Sequence, residues 1–382
     1  ASVRALYGDK LRLSASRIDK FASCRFAYFM QYALKAKPHE PAGFTAPEMG
    51  TFMHKILEQV SREVASMGGY KSVDDETVTR LCDKYIDEYI TRELNDFHDK
   101  SKRFEYLFRR LTGSVHRIVL DLADELRRSD FQPLSFELDF ADTPQLPPLE
   151  LGEGEDKLVL TGIADRVDGW LHEGKLYLRV VDYKTGRKKF DLSDVLYGMN
   201  LQMLLYLFSL GENGKLLYGE EIVPAGVLYV PARDGVISVD GDISDAELEK
   251  KRNKGLRRSG LVLSDPEVIR AMEHADTPKY IPVDFKKNGP AGDALVSAER
   301  LGTLARHIDQ TLCEMASELR RGSIAADPYY AGQQENACIN CDYFDACRFA
   351  DGENGESMRS TPHLPATKVW SVLEGGEEDG EV

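Results

Sequence analysis

The chain has 382 residues, 42% hydrophobic and 30% charged, a composition that suits a soluble globular protein of two or three lobes. A net charge of −15 argues against holding nucleic acid by bulk electrostatics alone, although a local basic channel stays open. No apolar run approaches the roughly 20 residues of a membrane helix, and the opening Ala1-Ser2-Val3-Arg4 has neither an initiator Met nor a signal-peptide pattern, so the chain reads as a fragment of something longer.

Taken in chain order, residues 11–37 read as helical, with Leu13, Ile18, Phe21, Phe26, Phe29 and Met30 at apolar positions and Ser16 as N-cap. Residues 38–47 read as a loop. A helix follows from 48 to about 66, with Phe52, Met53, Ile56, Leu57 and Val60 on one face. Two more long amphipathic helices are expected over 74–97 and 103–129, the first with Val78, Cys82, Tyr85, Ile86 and Tyr89 at helical spacing. The period then changes to two. Residues 134–140 alternate like a strand, 146–149 make a turn, and 157–170 and 175–183 form two strands joined by His172-Glu173-Gly174. A helix over 192–210 and a strand over 226–230 complete the order helix, three strands, helix, strand. That order predicts an α/β core with helical lobes on both sides. Residues 231–292 carry the weakest pattern. A long helix over 294–321 precedes a Cys-rich segment, and the acidic run 374–381 reads as disordered. Basic clusters stand at Arg187-Lys188-Lys189 and at Lys250-Lys251-Arg252-Asn253-Lys254, with Arg257-Arg258 behind; solvated faces are the plain reading of both.

The chemistry concentrates in residues 162–206. Asp165 leads into one apolar run, Asp182-Tyr183-Lys184 ends the next, and Gln202 and Tyr206 follow at i and i+4 on a helix face. Phosphodiester hydrolysis needs an activated water, charge neutralisation and help for the leaving oxygen, and a bound Mg²⁺ serves several of these needs. Mg²⁺ takes few carboxylates plus waters and substrate phosphate. Asp165 and Asp182 would supply the carboxylates and the Tyr183 carbonyl a further ligand. Asp182 and Lys184, two apart on a strand, project to one face, so Lys184 would orient the attacking water or stabilise phosphoryl charge. Gln202 and Tyr206 would position substrate or the lysine. His54 and Glu58 form a polar stripe on an apolar helix, His54 being a further candidate ligand, and Glu137 would coordinate the metal or orient its ligands. Arg166 would face the other side, in a surface or structural salt bridge, and Asp168 reads as a turn or surface residue. An Asp-x-Lys at a strand end is common, and a lone helix His is usually only satisfied. The parts nevertheless come in the order one active site requires, which favours the catalytic reading.

Of six cysteines, Cys82 and Cys313 read as core residues, while Cys338, Cys341 and Cys347 form a C-x2-C-x5-C triplet. A site built on the triplet needs a fourth ligand, and Cys24 is the best candidate. Nothing indicates secretion, so a metal site outweighs disulfides; a triplet with one remote partner suits an iron–sulfur cluster at least as well as zinc. Such a cluster would close a very long loop as a structural staple.

These residues resemble the C-terminal nuclease domain of the AddB-type subunit of bacterial ATP-dependent helicase–nucleases, in the RecB-like branch of the PD-(D/E)XK nucleases. The resemblance covers nearly the whole chain. Ser14-Ala15-Ser16-Arg17-Ile18 with Cys24-Arg25-Phe26-Ala27-Tyr28-Phe29 is similar to the family's entry segment, Gly50-Thr51-Phe52-Met53-His54 to its His motif, and Gln202 with Tyr206 to its Gln-x-x-x-Tyr motif. The resemblance implies metal ligation by Asp165, Asp182 and His54, catalysis by Lys184, and a 4Fe–4S cluster on Cys24, Cys338, Cys341 and Cys347. It also implies a heterodimer with an AddA-like helicase–nuclease subunit, cutting of the 5′-polarity strand as a duplex is unwound, and processing of double-strand breaks for recombinational repair in the bacterial cytoplasm. Ala164 stands where the family commonly has Ile, a packing change only. No G-x-x-x-x-G-K-S/T occurs, so ATP binding is expected outside this chain. The expected organisation is an entry segment with the first cluster cysteine over 1–47, a helical region with the His motif over 48–130 and the α/β nuclease core over 131–235. A helical extension over 236–325, the Cys-rich segment over 326–350 and an acidic, disordered tail over 351–382 complete it. Rival readings are a standalone Cas4-like iron–sulfur exonuclease, a catalytically silent DNA-binding scaffold of the same fold, and an iron–sulfur electron-transfer protein. The last leaves the acidic constellation without a purpose.

Overall fold

The computed structural model describes all residues except 1, 9, 38–45, 99, 152–156, 187–188, 233–243, 288, 354–355 and 377–382. Most of the expected 38–47 loop, Arg187 and Lys188 of the first basic cluster, and the end of the acidic run therefore lie outside the described residues. The chain begins with α1 (Ser2–Tyr7), β1 (Leu11–Ser14), α2 (Ala15–Ser23) and α3 (Arg25–Tyr28), the last running into a π-helical turn. Three long helices follow: α4 (Ala46–Ser66), α5 (Asp75–Glu93) and α6 (Lys102–Arg127). Then come β2 (Gln132–Asp139), β3 (Glu150–Leu151), β4 (Leu158–Thr161), β5 (Ile163–His172) and β6 (Lys175–Lys184). The second half holds α7 (Leu192–Leu196), α8 (Gln202–Tyr218), β7 (Glu221–Pro231), α9 (Asp245–Leu256), β8 (Ser259–Leu263) and α10 (Pro266–Met272). Helices α11 (Ala298–Arg321), α12 (Phe344–Cys347) and α13 (Ala366–Leu373) close the chain.

Among the described residues the main sheet has six strands, in the order Leu295–Val296, β8, β7, β6, β5, β2. β2, β5 and β6 form an antiparallel meander, whereas β6 and β7 are parallel and joined by the α7–α8 crossover. β6 is buried on both faces through Val180 and Val181, as a central strand with a parallel neighbour requires. On one face α8, apolar nearly all round with Met203, Leu204, Leu205, Leu207 and Leu210 buried, lies close enough that a Cβ at Gly214 would meet Ile222 at 3.0 Å. On the other face α6 brings Glu125 against Arg179 at 3.5 Å. Between α4, α5 and α6, Phe52 packs on Tyr89 at 4.8 Å and on Phe108 at 4.7 Å, and the face of α4 expected to be apolar is buried. One apolar core runs from Leu11 to Trp370.

Several expectations need correction. Residues 11–14 are a strand, not helix: Leu11 and Leu13 alternate inward and pair with Leu158 and Leu160 in a small sheet, β1–β4–β3. The helix therefore starts at Ala15, before the expected Ser16 cap. The strand expected over 157–170 breaks at Gly162, so that β4 joins the small sheet and β5 the main one. The helix expected over 192–210 is two, because Gly198 (φ 77°) and Asn200 (φ 60°) enter the left-handed region and stop α7 before α8 begins. The main sheet also takes strands from 259–263 and 295–296, so the α/β core reaches beyond 131–235. Within the tail expected to be disordered, α13 buries Val369 and Trp370. No helix among the described residues is long and apolar enough to cross a membrane.

Candidate active site

Three chain segments converge where β5 begins and β6 ends. Arg166 and Val181 are paired across these strands, which sets Asp165 and Asp182 side by side one step further on. Asp165 Oδ2 accepts the Tyr183 backbone N–H at 2.8 Å, and its Oδ1 lies 3.3 Å from His54 Nδ1. His54, on α4, places Nε2 2.8 Å from the Tyr183 carbonyl oxygen. Burial alone would lower the His54 pKa. The hydrogen bond and charge of Asp165, the Tyr183 carbonyl and the Asp182 charge outweigh it and push the imidazole up to about 9. Protonated, the ring donates from both nitrogens, one to carboxylate and one to carbonyl.

Asp182 is buried and Lys184 partly exposed on the same side of β6, as their spacing predicts. Lys184 Nζ lies 2.8 Å from Asp182 Oδ2 and 4.9 Å from the centre of the Tyr229 ring. The ion pair is close, yet Asp182 Oδ2 has no aligned hydrogen-bond donor. Burial and the Asp165 charge raise the Asp182 pKa, with Lys184 opposing.

Glu137 belongs to this cluster too. Pairing of Phe136 with Arg166 and of Leu138 with Ala164 sets it opposite Asp165, and its φ of 48° is unusual for a residue with a Cβ. Burial, then Asp165 and Glu58, push its carboxyl up to about 7. Ligand atoms of His54, Glu137 and Asp165 all lie within 4.8 Å of one another. Glu58 stands back: it accepts from Arg62 Nε at 2.7 Å, and Arg62 also donates to the Phe136 carbonyl. Sequence reasoning missed Arg62 and Tyr229, because their value depends on which strand lies beside them.

Tyr206, on α8, is buried and stacked on Phe140 at 4.6 Å. Burial raises its pKa, while hydrogen bonding to the Gln202 side chain and the Ile163 backbone opposes. Its hydroxyl occupies the space above Gly162, where a Cβ would sit 1.9 Å from the oxygen. Gly162 thus serves the site by having no side chain.

On the opposite face lie buried charges. Arg166 grips Asp168 with two hydrogen bonds (2.7 and 2.9 Å) and donates to the Tyr183 hydroxyl at 2.7 Å. Arg179 also binds Asp168, at 2.8 Å, and Arg258 binds Glu125 at 2.6 Å. Arg166 does face away from the carboxylate site, in a structural pair, but that pair is buried rather than on the surface. Asp168, expected in a turn or on the surface, is fully buried between two guanidiniums. A carboxylate at 0% exposure requires such partners. Through Tyr183 this network braces the backbone between Asp182 and Lys184.

Asp165, Asp182, Glu137 and the Tyr183 carbonyl offer hard oxygen donors, His54 would add a nitrogen once a cation displaces its proton, and the buried Asp182 Oδ2 is met, among the described residues, only by the Lys184 ammonium. The set fits a divalent cation of the Mg²⁺ or Mn²⁺ kind.

The four cysteines singled out in the sequence, Cys24, Cys338, Cys341 and Cys347, line one small apolar cavity with Phe26, Phe344 and Phe349. None of the four is in a disulfide, and burial pushes the Cys338 thiol up to about 11. Arg25 pairs with Glu318 and Asp327, and Tyr343 donates to the Ala36 carbonyl at 2.9 Å, so distant parts of the chain are already fastened here. Cys82 is buried in α5 as expected, whereas Cys313 is only half-buried in α11.

The sequence profile of the PD-(D/E)XK nuclease superfamily matches residues 12–348. The chain belongs to this superfamily. Its members use divalent metal, in keeping with the acidic cluster. Similar proteins, each named as a subunit of an ATP-dependent helicase/deoxyribonuclease, come from several bacteria. That of Thermoanaerobacter sp. (strain X514) is 33% identical over 381 residues, covering 98% of this chain and 33% of that protein. Those of Caldanaerobacter subterraneus subsp. tengcongensis and Clostridium acetobutylicum are 34% and 32% identical over 389 and 386 residues, again spanning 33% of each. The PD-(D/E)XK chain thus spans about a third of the length of the curated relatives it matches.

Proposed function

We propose that the chain is a metal-dependent deoxyribonuclease domain, acting as the 5′-strand exonuclease of a helicase–nuclease complex that processes double-strand breaks for recombinational repair. The observation that carries this is the convergence of Asp165, Asp182 and Lys184 where β5 begins and β6 ends, beside His54 and Glu137. Asp165, Asp182, His54 and the Tyr183 carbonyl would hold Mg²⁺ or Mn²⁺, with Glu137 beside them. The cation would supply Lewis-acid polarisation of the phosphoryl oxygens and a water of lowered pKa. Lys184 would orient the attacking water and meet negative charge as it develops. Gln202 and Tyr206 hold the lysine side of the site and the substrate strand. Asp182 keeps Lys184 on station until phosphate arrives.

A 4Fe–4S cluster on Cys24, Cys338, Cys341 and Cys347 would act as a structural staple between distant parts of the chain. The partner would be an AddA-like helicase–nuclease subunit in the bacterial cytoplasm, with ATP bound outside this chain. The names of the relatives support the helicase–nuclease setting.

Cleavage of end-labelled single-stranded DNA, with Mg²⁺ or with chelator, tests the site. Asp182→Ala and Lys184→Ala should each lower the rate at least about a hundredfold, and chelator should stop it reversibly. A variant as fast as the parent sinks the assignment.

A further inference from the structure

We infer that α9 is a second contact site for the nucleic-acid strand, holding phosphates outside the catalytic centre. Between Glu247 and Arg258 the sequence places six Lys or Arg against two carboxylates, in a chain of net charge −15. The helix has no continuous apolar stripe: nearly every described residue from Ala246 to Gly255 is exposed, Leu248 included. A helix polar all round draws little from core packing. This one is held by its ends instead. Ser244 and Glu247 form a reciprocal capping box at the start. At the other end Arg257 bonds Asp284 at 2.6 Å, and Arg258 is buried on Glu125.

Those anchors leave the middle of the helix for a ligand. Lys250 and Lys254 line a cavity of about 900 Å³ together with Arg257 and Lys279. Arg257 and Lys279 are engaged, the latter with Asp124 at 3.2 Å, whereas Lys250 and Lys254 form no ion pair among the described residues. They are one turn apart, about 6 Å along the axis, and so present a row of charge rather than a single point. The cavity is also far larger than one phosphate needs. A polyanion fits better than a small anion.

The sheet register argues for nucleic acid as that polyanion. α9 leads into β8 at Ser259, which pairs with Tyr229, and Tyr229 pairs with Asp182. Two strand spacings, about 10 Å, separate Asp182 from the strand that α9 enters. A strand leaving the catalytic centre would reach this basic surface by crossing the end of the sheet toward its α6 side, where Lys279 holds Asp124. The inference rests on the nuclease reading for the identity of its ligand.

The test is binding of a fluorescein-labelled 30-nucleotide DNA strand by the full chain in chelator, followed by anisotropy across a salt series. Lys250→Ala/Lys254→Ala should reduce the slope of log K against log salt by about 1.4 and weaken binding about 25-fold at about 0.1 M salt. Lys71→Ala/Lys215→Ala, which removes equal charge at the far end of the sheet, should do neither. Equal affinity and slope for Lys250→Ala/Lys254→Ala and the parent would overturn the inference while leaving the nuclease reading intact. So would polyglutamate competing as well as unlabelled DNA, which would assign the surface to an acidic protein. If the parent chain bound no DNA at all, the nuclease reading itself would fall.

Discussion

Gly162→Ala is the sharpest test of how the site is built. An alanine Cβ would lie 1.9 Å from the Tyr206 hydroxyl oxygen, 2.8 Å from Cζ and 3.0 Å from Cε1. The ring has little room to retreat, since it is buried, stacked on Phe140 and bonded through its hydroxyl to Gln202 and Ile163. The backbone cannot easily yield either, because the Gly162 carbonyl accepts the Phe140 N–H at 2.9 Å. Overpacking of this kind costs about 1–3 kcal/mol, and the displaced hydroxyl loses a further ~1 kcal/mol of hydrogen bonding. Gly162→Ala should therefore destabilise by about 2–4 kcal/mol and sharply reduce cleavage. Tyr206→Phe alone should cost about 1 kcal/mol. The double variant should be more stable than Gly162→Ala, since the clashing oxygen is gone, giving a favourable coupling of about 1–2 kcal/mol. Urea denaturation of the four proteins, read by tryptophan fluorescence and circular dichroism, measures the cycle. Additivity within about 0.5 kcal/mol would show that Gly162 and Tyr206 do not compete for one space.

Asp168→Ala leaves Arg166 and Arg179 buried beside an empty partner site and should cost about 3–5 kcal/mol; an unchanged urea midpoint would refute the reading of that network. In chelator, stability should fall as pH rises from about 5 to 9. His54 and Glu137 both have folded pKa values raised above their unfolded ones, so the native state holds protons that the unfolded chain releases. Denaturation at several pH values should show a flatter profile for His54→Ala/Glu137→Gln, and an identical slope would count against the cluster's electrostatics. Replacing Cys341 by Ala should bleach the brown colour of an iron–sulfur cluster and lower the melting temperature; lost colour with unchanged melting would leave the cluster without a stapling role.

Local signals were legible in the sequence wherever a side chain's use depends on its near neighbours. The i, i+2 spacing of Asp182 and Lys184 sets them on one face of any strand, and the apolar stripe from Phe52 to Val60 makes a helix whatever packs on it. Four of the six cysteines could be singled out because three of them stand within ten residues. Where a residue's use depends on a remote partner and no motif marks it, the sequence is silent. Leu11-Arg12-Leu13 is too short to declare itself a strand until Leu158 and Leu160 lie beside it. Asp168 resembles any turn aspartate until two arginines close over it.

The sequence by itself determined the list of chemical groups and their spacing along each element, since backbone geometry alone converts spacing into a common face. The tertiary structure decided which groups meet. Sheet register put Glu137 opposite Asp165 and aligned Ser259, where the chain leaves α9, with the strand end that carries Asp182. The contact of α8 with the sheet turned the missing side chain of Gly162 into a seat for the Tyr206 hydroxyl. Such meetings follow from burying apolar faces over the whole chain at once, a sum to which each residue contributes and which no short window contains.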